Sequence, residues 1–376
     1  MTSRMELPAA ALIAAALLAG CEREAPEQRD GAGAADEAET RAVTDMLGRS
    51  VAIPERIERI ATVNVDAFRM ALHLGAEEQL VGMPSDMYGS RFAQAKPVEV
   101  RAFDRLDAVP RIGGGQPGSE FSAERALATD PDVFVYWAFS RGEDRPAMRE
   151  RADRVQERLG VPVVAVNTIG TERESREAVR ETIATAYGLM GTLTGREERA
   201  EALLGYYDDV VAELRERVAG EAPPRVYLAH RRNLYNHVSY YLPVEQLEAE
   251  LLTEGRRGQD GEVSAEELLT WDPEYIFLHT PSRASRVGID EVLEDERISR
   301  IEAVSEQRVH RFKGTFMGWD LATGLIDLVH MADVLYPKAM EDVDVDDRGR
   351  EILDRFYGDP ELYEGLLELS SLREEA

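Results

Sequence analysis

Twelve consecutive residues, His230 to Tyr241 (HRRNLYNHVSYY), hold two arginines, three tyrosines and two histidines. Arginine gives an anion paired, charge-assisted donors, and tyrosine offers a flat face with a polar tip. Arg231, Arg232, Tyr235, His237, Tyr240 and Tyr241 are therefore candidate ligand contacts, suited to an anionic metal chelate or a planar macrocycle. The alternative for each is a surface loop with an aromatic anchor. Tyr235 and His237 are also of the types that ligate haem iron. Further candidates lie just past other apolar runs: Asn64, Asp86, Tyr88, Arg91, Gln116 and Trp137 in the first half, His230, Arg283 and Trp319 in the second. For Trp319, in Phe-Met-Gly-Trp-Asp, core packing competes with ligand contact.

Signatures of catalysis are missing. There is no Gly-x-Ser-x-Gly elbow and no His-Glu-x-x-His, and no Gly-Lys-Ser/Thr follows Gly113-Gly114-Gly115. The six histidines (73, 230, 237, 279, 310, 330) are scattered, which lowers the case for a bare transition-metal cage of three or four converging ligands. The residues point to binding, with no resident cofactor.

Short β-branched runs position these side chains. Residues 59–64, 79–83, 133–137 and 162–167 read as buried strands, with helices expected over 65–75, 122–130 and 145–160. A helical stretch follows from 172 to 219, broken between Gly191 and Gly195. After Pro223-Pro224 the alternation restarts, with strands at 225–230, 275–280 and 308–313 and helices at 264–271 and 323–336. "SAERALATDPDVFVYW" (122–137) echoes "SAEELLTWDPEYIFLH" (264–279). A repeated helix–strand unit implies two lobes of similar build, each an α/β layer with a mostly parallel sheet. Ligands of such sheets sit beyond the carboxyl ends of the strands, so one cleft between two lobes is expected.

The chain start reads differently. Arg4 precedes an apolar run, Leu7–Leu18, too short to span a bilayer, which ends in Leu18-Ala19-Gly20-Cys21. That is a lipoprotein signal (1–20) cut before Cys21, the only cysteine, whose sulfur would carry lipid. An acidic tether (21–40) follows, then an N-terminal lobe (41–171), a helical connection (172–222) and a C-terminal lobe (223–376). The net charge of −28, from 44 basic and 72 acidic residues, argues against a nucleic-acid partner.

"VTDMLGRSVAIPERIERIATVNVDAFRMALHLGAEEQLVGMP" (43–84) resembles the opening of periplasmic binding proteins of the iron-siderophore, haem and cobalamin class. The resemblance continues through "GREERAEALLGYYDDVVAEL" (195–214), "GWD" (318–320) and "FYGD" (356–359). It implies two Rossmann-like lobes joined by a long rigid α-helix, with small closure on ligand. It also implies a monomeric, non-enzymatic carrier serving an ABC permease dimer and its ATPase. A ferric siderophore is the expected ligand; haem, cobalamin and molybdate or tungstate are alternatives within the class, and a non-transport sensor is the alternative outside it. The family places one glutamate on each lobe to dock into arginine pockets of the permease, and Glu124 and Glu266 match those places. A carboxylate there also suits the helix dipole without any partner, and the neighbouring Glu267 leaves open which carboxylate projects.

Overall fold

The computed structural model describes residues 39–85, 101–115, 119–138, 144–166, 175–229, 233–256, 261–278, 287–313 and 320–371. The signal, Cys21 and nearly all of the tether lie outside this set, as do Asp86, Tyr88, Arg91, Gln116, His230, Arg231, Arg232, Arg283 and Trp319.

A hairpin opens the described chain, β1 (Thr40–Thr44) against β2 (Ser50–Pro54). Its turn is built on Asp45, whose carboxylate takes the Leu47 and Arg49 N–H groups and the Arg49 guanidinium. Met46 N–H then donates to Ala165, which pins the hairpin to the first lobe.

The first lobe holds β3 (Ile60–Thr62), β4 (Leu80–Pro84), β5 (Arg111–Gly113), β6 (Val133–Tyr136) and β7 (Val163–Ala165). They pair in parallel in the order β5-β4-β3-β6-β7. Strands buried on both faces need a helix on each, and α1 (Val65–His73), α2 (Ala123–Ala128) and α3 (Arg145–Leu159) supply them. The second lobe repeats the plan with β8 (Arg225–Ala229), β9 (Glu250–Leu251), β10 (Tyr275–Leu278) and β11 (Val309–Arg311), again parallel, in the order β11-β10-β8-β9.

Two long helices connect the lobes, α4 (Arg176–Thr194) and α5 (Glu197–Val218). The break falls at Gly195, where φ is +67° and the N–H closes on the Gly191 carbonyl. Gly191 itself stays helical. A Cβ on it would meet Ala200 at 3.2 Å, so its bare backbone lets α5 fold back closely on α4. Shorter helices α6 (Leu242–Gln246), α7 (Ala265–Trp271), α8 (Ile289–Leu293) and α9 (Glu302–Ser305) belong to the second lobe, and α10 (Leu321–Leu335), α11 (Val345–Tyr357) and α12 (Leu362–Ser371) complete the chain.

The lobes share more than a spine. One apolar cluster runs from Ile60, Leu80, Val133 and Val135 of the first sheet through Tyr187, Leu203 and Leu214 of α4 and α5. It continues to Val226, Leu228 and Phe277 of the second sheet and to α10 and α11. Each outer sheet face has its own smaller cluster: Ala61, Phe134 and Tyr136 against α2 and α3, and Tyr227, Ile276 and Leu278 against Leu268 and Val304. Each buried aliphatic or aromatic side chain contributes about 1.5–3 kcal/mol, so parting the lobes along this seam would expose much of the core. A large apolar interface of that kind opposes hinge motion.

The internal repeat holds in three dimensions. Asp130 and Asp272, which end the repeated helices, both take left-handed φ, +48° and +47°. Arg59 donates to the carbonyls of Thr129 and Asp130; Arg225 donates to those of Trp271 and Asp272. Each arginine stands at the start of a strand, Arg59 just before β3 and Arg225 as the first residue of β8, and ties that strand to the turn leading into its neighbour.

Candidate ligand cleft and docking rim

In the first sheet the chain adds strands on one side of β3 and then crosses to add β6 on the other. In the second the same reversal separates β9 from β10 about β8. Such switch points open a crevice at the carboxyl ends of the two central strands.

The floor of the first crevice is Asn64 and its neighbours. Asn64 is fully buried, and its Oδ1 accepts from the Asp66 and Ala67 N–H groups at 2.8 and 3.1 Å, capping α1. Its Nδ2 donates to Val166 at 2.6 Å, so its side chain is spent on structure. Gly115 N–H donates to Val63, and a Cβ on Gly114 would fall 2.5 Å from the Val63 side chain. The glycine run is therefore a close approach of backbone to the end of β3. Trp137 follows β6 directly and is 5 % exposed, and among the described residues its indole Nε1 has no hydrogen-bond partner.

The tyrosine-rich segment divides between two sides. Residues 236–238 run antiparallel to the end of β8, through the Ala229–His237 bridge and the Val238 N–H to Leu228 bond. Tyr235 packs toward the outer cluster, under the Arg297 guanidinium, and donates to Asp295 Oδ2 at 3.2 Å. Burial first, then Asp295, pushes its phenol pKa up. His237 is 2 % exposed. Tyr240 and Tyr241 join the shared core. Tyr241, 3 % exposed, donates to Asp327 at 2.9 Å, and burial with that carboxylate holds its hydroxyl protonated well above the ordinary range. The expectation that this whole segment faces ligand therefore needs correcting at Tyr241, whose surface and hydroxyl are both taken by the core. Nor are Tyr235 and His237 offered as iron ligands here: one hydroxyl is engaged by Asp295 and one ring is buried. Among the described residues no group of three or more His, Cys, Asp or Glu side chains is placed to hold a metal ion.

The rims carry matched glutamates. Ser122 caps α2 through the Arg125 N–H, and Ser264 caps α7 through the Glu267 N–H. Both helices lead through an Asp-Pro turn into a strand, β6 or β10, so their first turns lie toward the strands' carboxyl ends. Glu267 completes a capping box by accepting the Ser264 N–H at 2.8 Å and also pairs with Arg256. The backbone bond first, and Arg256 next, hold its carboxyl below the usual range. Glu266 is exposed, as is Glu124, and neither carboxylate takes a hydrogen bond or ion pair among the described residues. Of the two adjacent carboxylates in the second lobe, Glu266 is the one that projects.

Sequence reasoning missed a buried polar link between the lobes. His73, at the end of α1, has Nδ1 2.6 Å from the Tyr187 hydroxyl and Nε2 3.1 Å from Asp320 Oδ1. Asp320 caps α10 and accepts from Thr323 Oγ1 at 2.9 Å. Burial alone would raise the Asp320 carboxyl, but His73 and the more distant Arg69 outweigh it and keep the pKa low. The aspartate of Gly-Trp-Asp is thus a structural cap and an inter-lobe partner. A lone histidine on an apolar helix gives no hint of such a partner 247 residues away.

A family profile described as periplasmic binding protein matches residues 60–314. The chain is similar to the molybdate-binding protein MolA of Haemophilus influenzae, 23 % identical over 344 residues, which cover 84 % of this chain and 91 % of that one. The solved structure of MolA bound to molybdate superposes with a TM-score of 0.65 at 21 % identity, covering 85 % of this chain and 98 % of that one. A periplasmic solute-binding protein from Veillonella parvula superposes at 0.67 with 22 % identity, covering 88 % and 97 %. The petrobactin-binding protein YclQ of Bacillus subtilis does so at 0.56 with 15 % identity, covering 80 % and 99 %. Members of the family bind small solutes outside the cytoplasmic membrane, work with an ABC permease and its ATPase, and carry no cofactor. With the family profile matched over residues 60–314 and two parallel sheets to agree with it, this chain belongs to the periplasmic binding protein family, whose members are solute-binding components and not enzymes.

Proposed function

We propose that this chain is the lipid-anchored binding protein of an ABC importer and captures a metal-bearing anion, a ferric chelate first. The observation that carries the reading is the pairing of two strand-end crevices with one exposed, unengaged glutamate at each rim, all on one shared core. Glu124 and Glu266 then dock the two permease subunits, one per lobe. Arg231 and Arg232, next to the end of β8 in sequence, together with Arg91 and Arg283, supply cationic donors to the ligand, and Tyr88, Trp137 and Trp319 supply flat faces. A molybdate-type oxyanion is the second reading, favoured by the likeness to MolA. The net charge of −28 opposes any anion at long range, but at physiological ionic strength that field is screened within roughly 8 Å.

Metal analysis of the purified mature protein tests the reading. A brown preparation with one iron per chain supports a ferric chelate, and a colourless one with molybdenum or tungsten supports the oxyanion. A preparation that neither carries nor takes up any of these metals would refute both. Replacing Arg231 and Arg232 by alanine is expected to weaken an anionic ligand by about 2–4 kcal/mol in calorimetric titration, as charge-assisted bonds are lost. Cys21→Ser is expected to abolish lipidation and release the protein from membranes; a wild-type chain that fractionates as fully soluble would rule the anchor out.

A further inference from the structure

We infer that the indole N–H of Trp137 is a hydrogen-bond donor to the captured solute, which therefore presents an oxygen acceptor to the β3–β6 crevice. The inference rests on the importer reading and adds to it the atom that meets the ligand and the chemistry it selects.

Three observations converge on this atom. Trp137 is 5 % exposed, yet its Nε1 has no partner among the described residues. Buried polar groups are nearly always hydrogen-bonded, because a donor removed from water and left unmatched is costly. Tryptophan is a donor only, so the missing partner is an acceptor. Second, among the described residues Trp137 joins none of the three apolar clusters, although Val133 and Val135 before it sit in the shared core and Phe134, Tyr136 and Ala138 sit in the outer one. Third, it follows β6 directly, at the switch point where β6 lies beside β3. Of the polar side chains described beside it, Asn64 is spent on the α1 cap and on Val166, and Thr62 on the Asn64 backbone, which leaves the Trp137 N–H as an unengaged donor among the described residues at that end of the sheet. An N–H in a dry crevice favours a ligand whose surface is rich in negatively charged oxygen, such as an oxyanion or a catecholate or carboxylate chelate. A ligand with an apolar or amine-bearing surface would leave it unmatched.

The test uses the full mature chain with molybdate, tungstate and the ferric complex of a tricatechol as probes. The chain has three tryptophans, so its indole N–H resonances are few, and the one lost in Trp137→Phe is assigned. On addition of the probe that binds, the Trp137 indole proton is expected to shift downfield. Trp137→Phe, with an unchanged thermal midpoint, is expected to bind that probe about ten- to a hundredfold more weakly. If the phenylalanine variant does not fold, the wild-type resonance decides alone. A stationary Trp137 resonance in the bound protein, or unchanged affinity in the folded variant, would overturn the inference while leaving the importer reading intact. Failure of the wild type to bind any probe would instead overturn the oxygen-rich anion as ligand, and with it the reading of the proposed function.

Discussion

A chain carrying Glu124→Arg and Glu266→Arg together is expected to fold and to bind its ligand normally, yet to support no uptake and no stimulation of ATP hydrolysis by the permease complex. Both carboxylates are exposed and without bonds among the described residues, so reversing them breaks nothing inside the protein. Each sits in the first turn of a short helix, α2 or α7, on the rim of its own lobe. Two rim charges, one per lobe, orient a bilobed protein on a two-subunit partner, and such charges govern encounter and register more than solute affinity. The single variants should each retain part of the activity, since one lobe can still dock. Glu267→Arg makes the contrast: Glu267 is committed to Ser264 and Arg256, so its loss should lower stability and spare the docking face. Normal uptake with both glutamates reversed would leave only the favourable interaction of a carboxylate with the helix dipole.

Asp320→Ala is expected to cost about 1–3 kcal/mol in urea unfolding, the range for leaving buried polar groups unsatisfied. The substitution strips α10 of its cap, leaves Thr323 Oγ1 without its acceptor and removes the carboxylate that lies 3.1 Å from buried His73 Nε2. Since His73 belongs to the first lobe and Asp320 to the second, the loss should appear as one cooperative transition at lower denaturant, and not as early melting of a single lobe. The link also carries a pH dependence. The folded-state pKa of Asp320 lies below the value of about 3.9 for an unfolded aspartate, so its stabilisation is complete above that value and drains away as the pH falls through the folded pKa. Asp320→Asn, which keeps the size and an acceptor oxygen, should flatten that part of the acid limb. An unchanged acid limb would show that the carboxylate charge plays no part in the link.

Much of the architecture was legible because it rests on local signals. The β-branched runs became β3, β4, β6, β7, β8, β10 and β11, with β4 shifted by one residue and the others one to three residues shorter than the run, since apolar runs extend past the last laddered pair. Ser122 and Ser264 cap the repeated helices, and the echo between the halves holds in the structure. The arginine half of that duplication was not legible: Arg59 and Arg225 act on carbonyls 46 to 71 positions away, and nothing in their own neighbourhood announces it. The β1–β2 hairpin was missed for a similar reason. Its turn, Asp-Met-Leu-Gly-Arg, is set by the Asp45 carboxylate and by Arg49 reaching Val163, a contact of long range. At the site, composition overstated the tyrosine cluster. Residues 235 to 241 looked like one binding face, but their side chains divide between an outer apolar cluster and the shared core, and Asp295 and Asp327 claim two of the hydroxyls. Trp137 stood out by type and place, but its unmatched N–H is a property of three-dimensional packing alone.

The central claim, that this chain hands a captured solute to an ABC importer, is tested most directly by transport in vesicles that contain the cognate permease and ATPase. Labelled ferric chelate or molybdate is supplied outside and ATP inside, with and without the purified mature chain. Accumulation of label that requires both the chain and ATP is the predicted result. Accumulation that is the same without the chain, or that never exceeds the ATP-free level when the loaded chain is present, would contradict it.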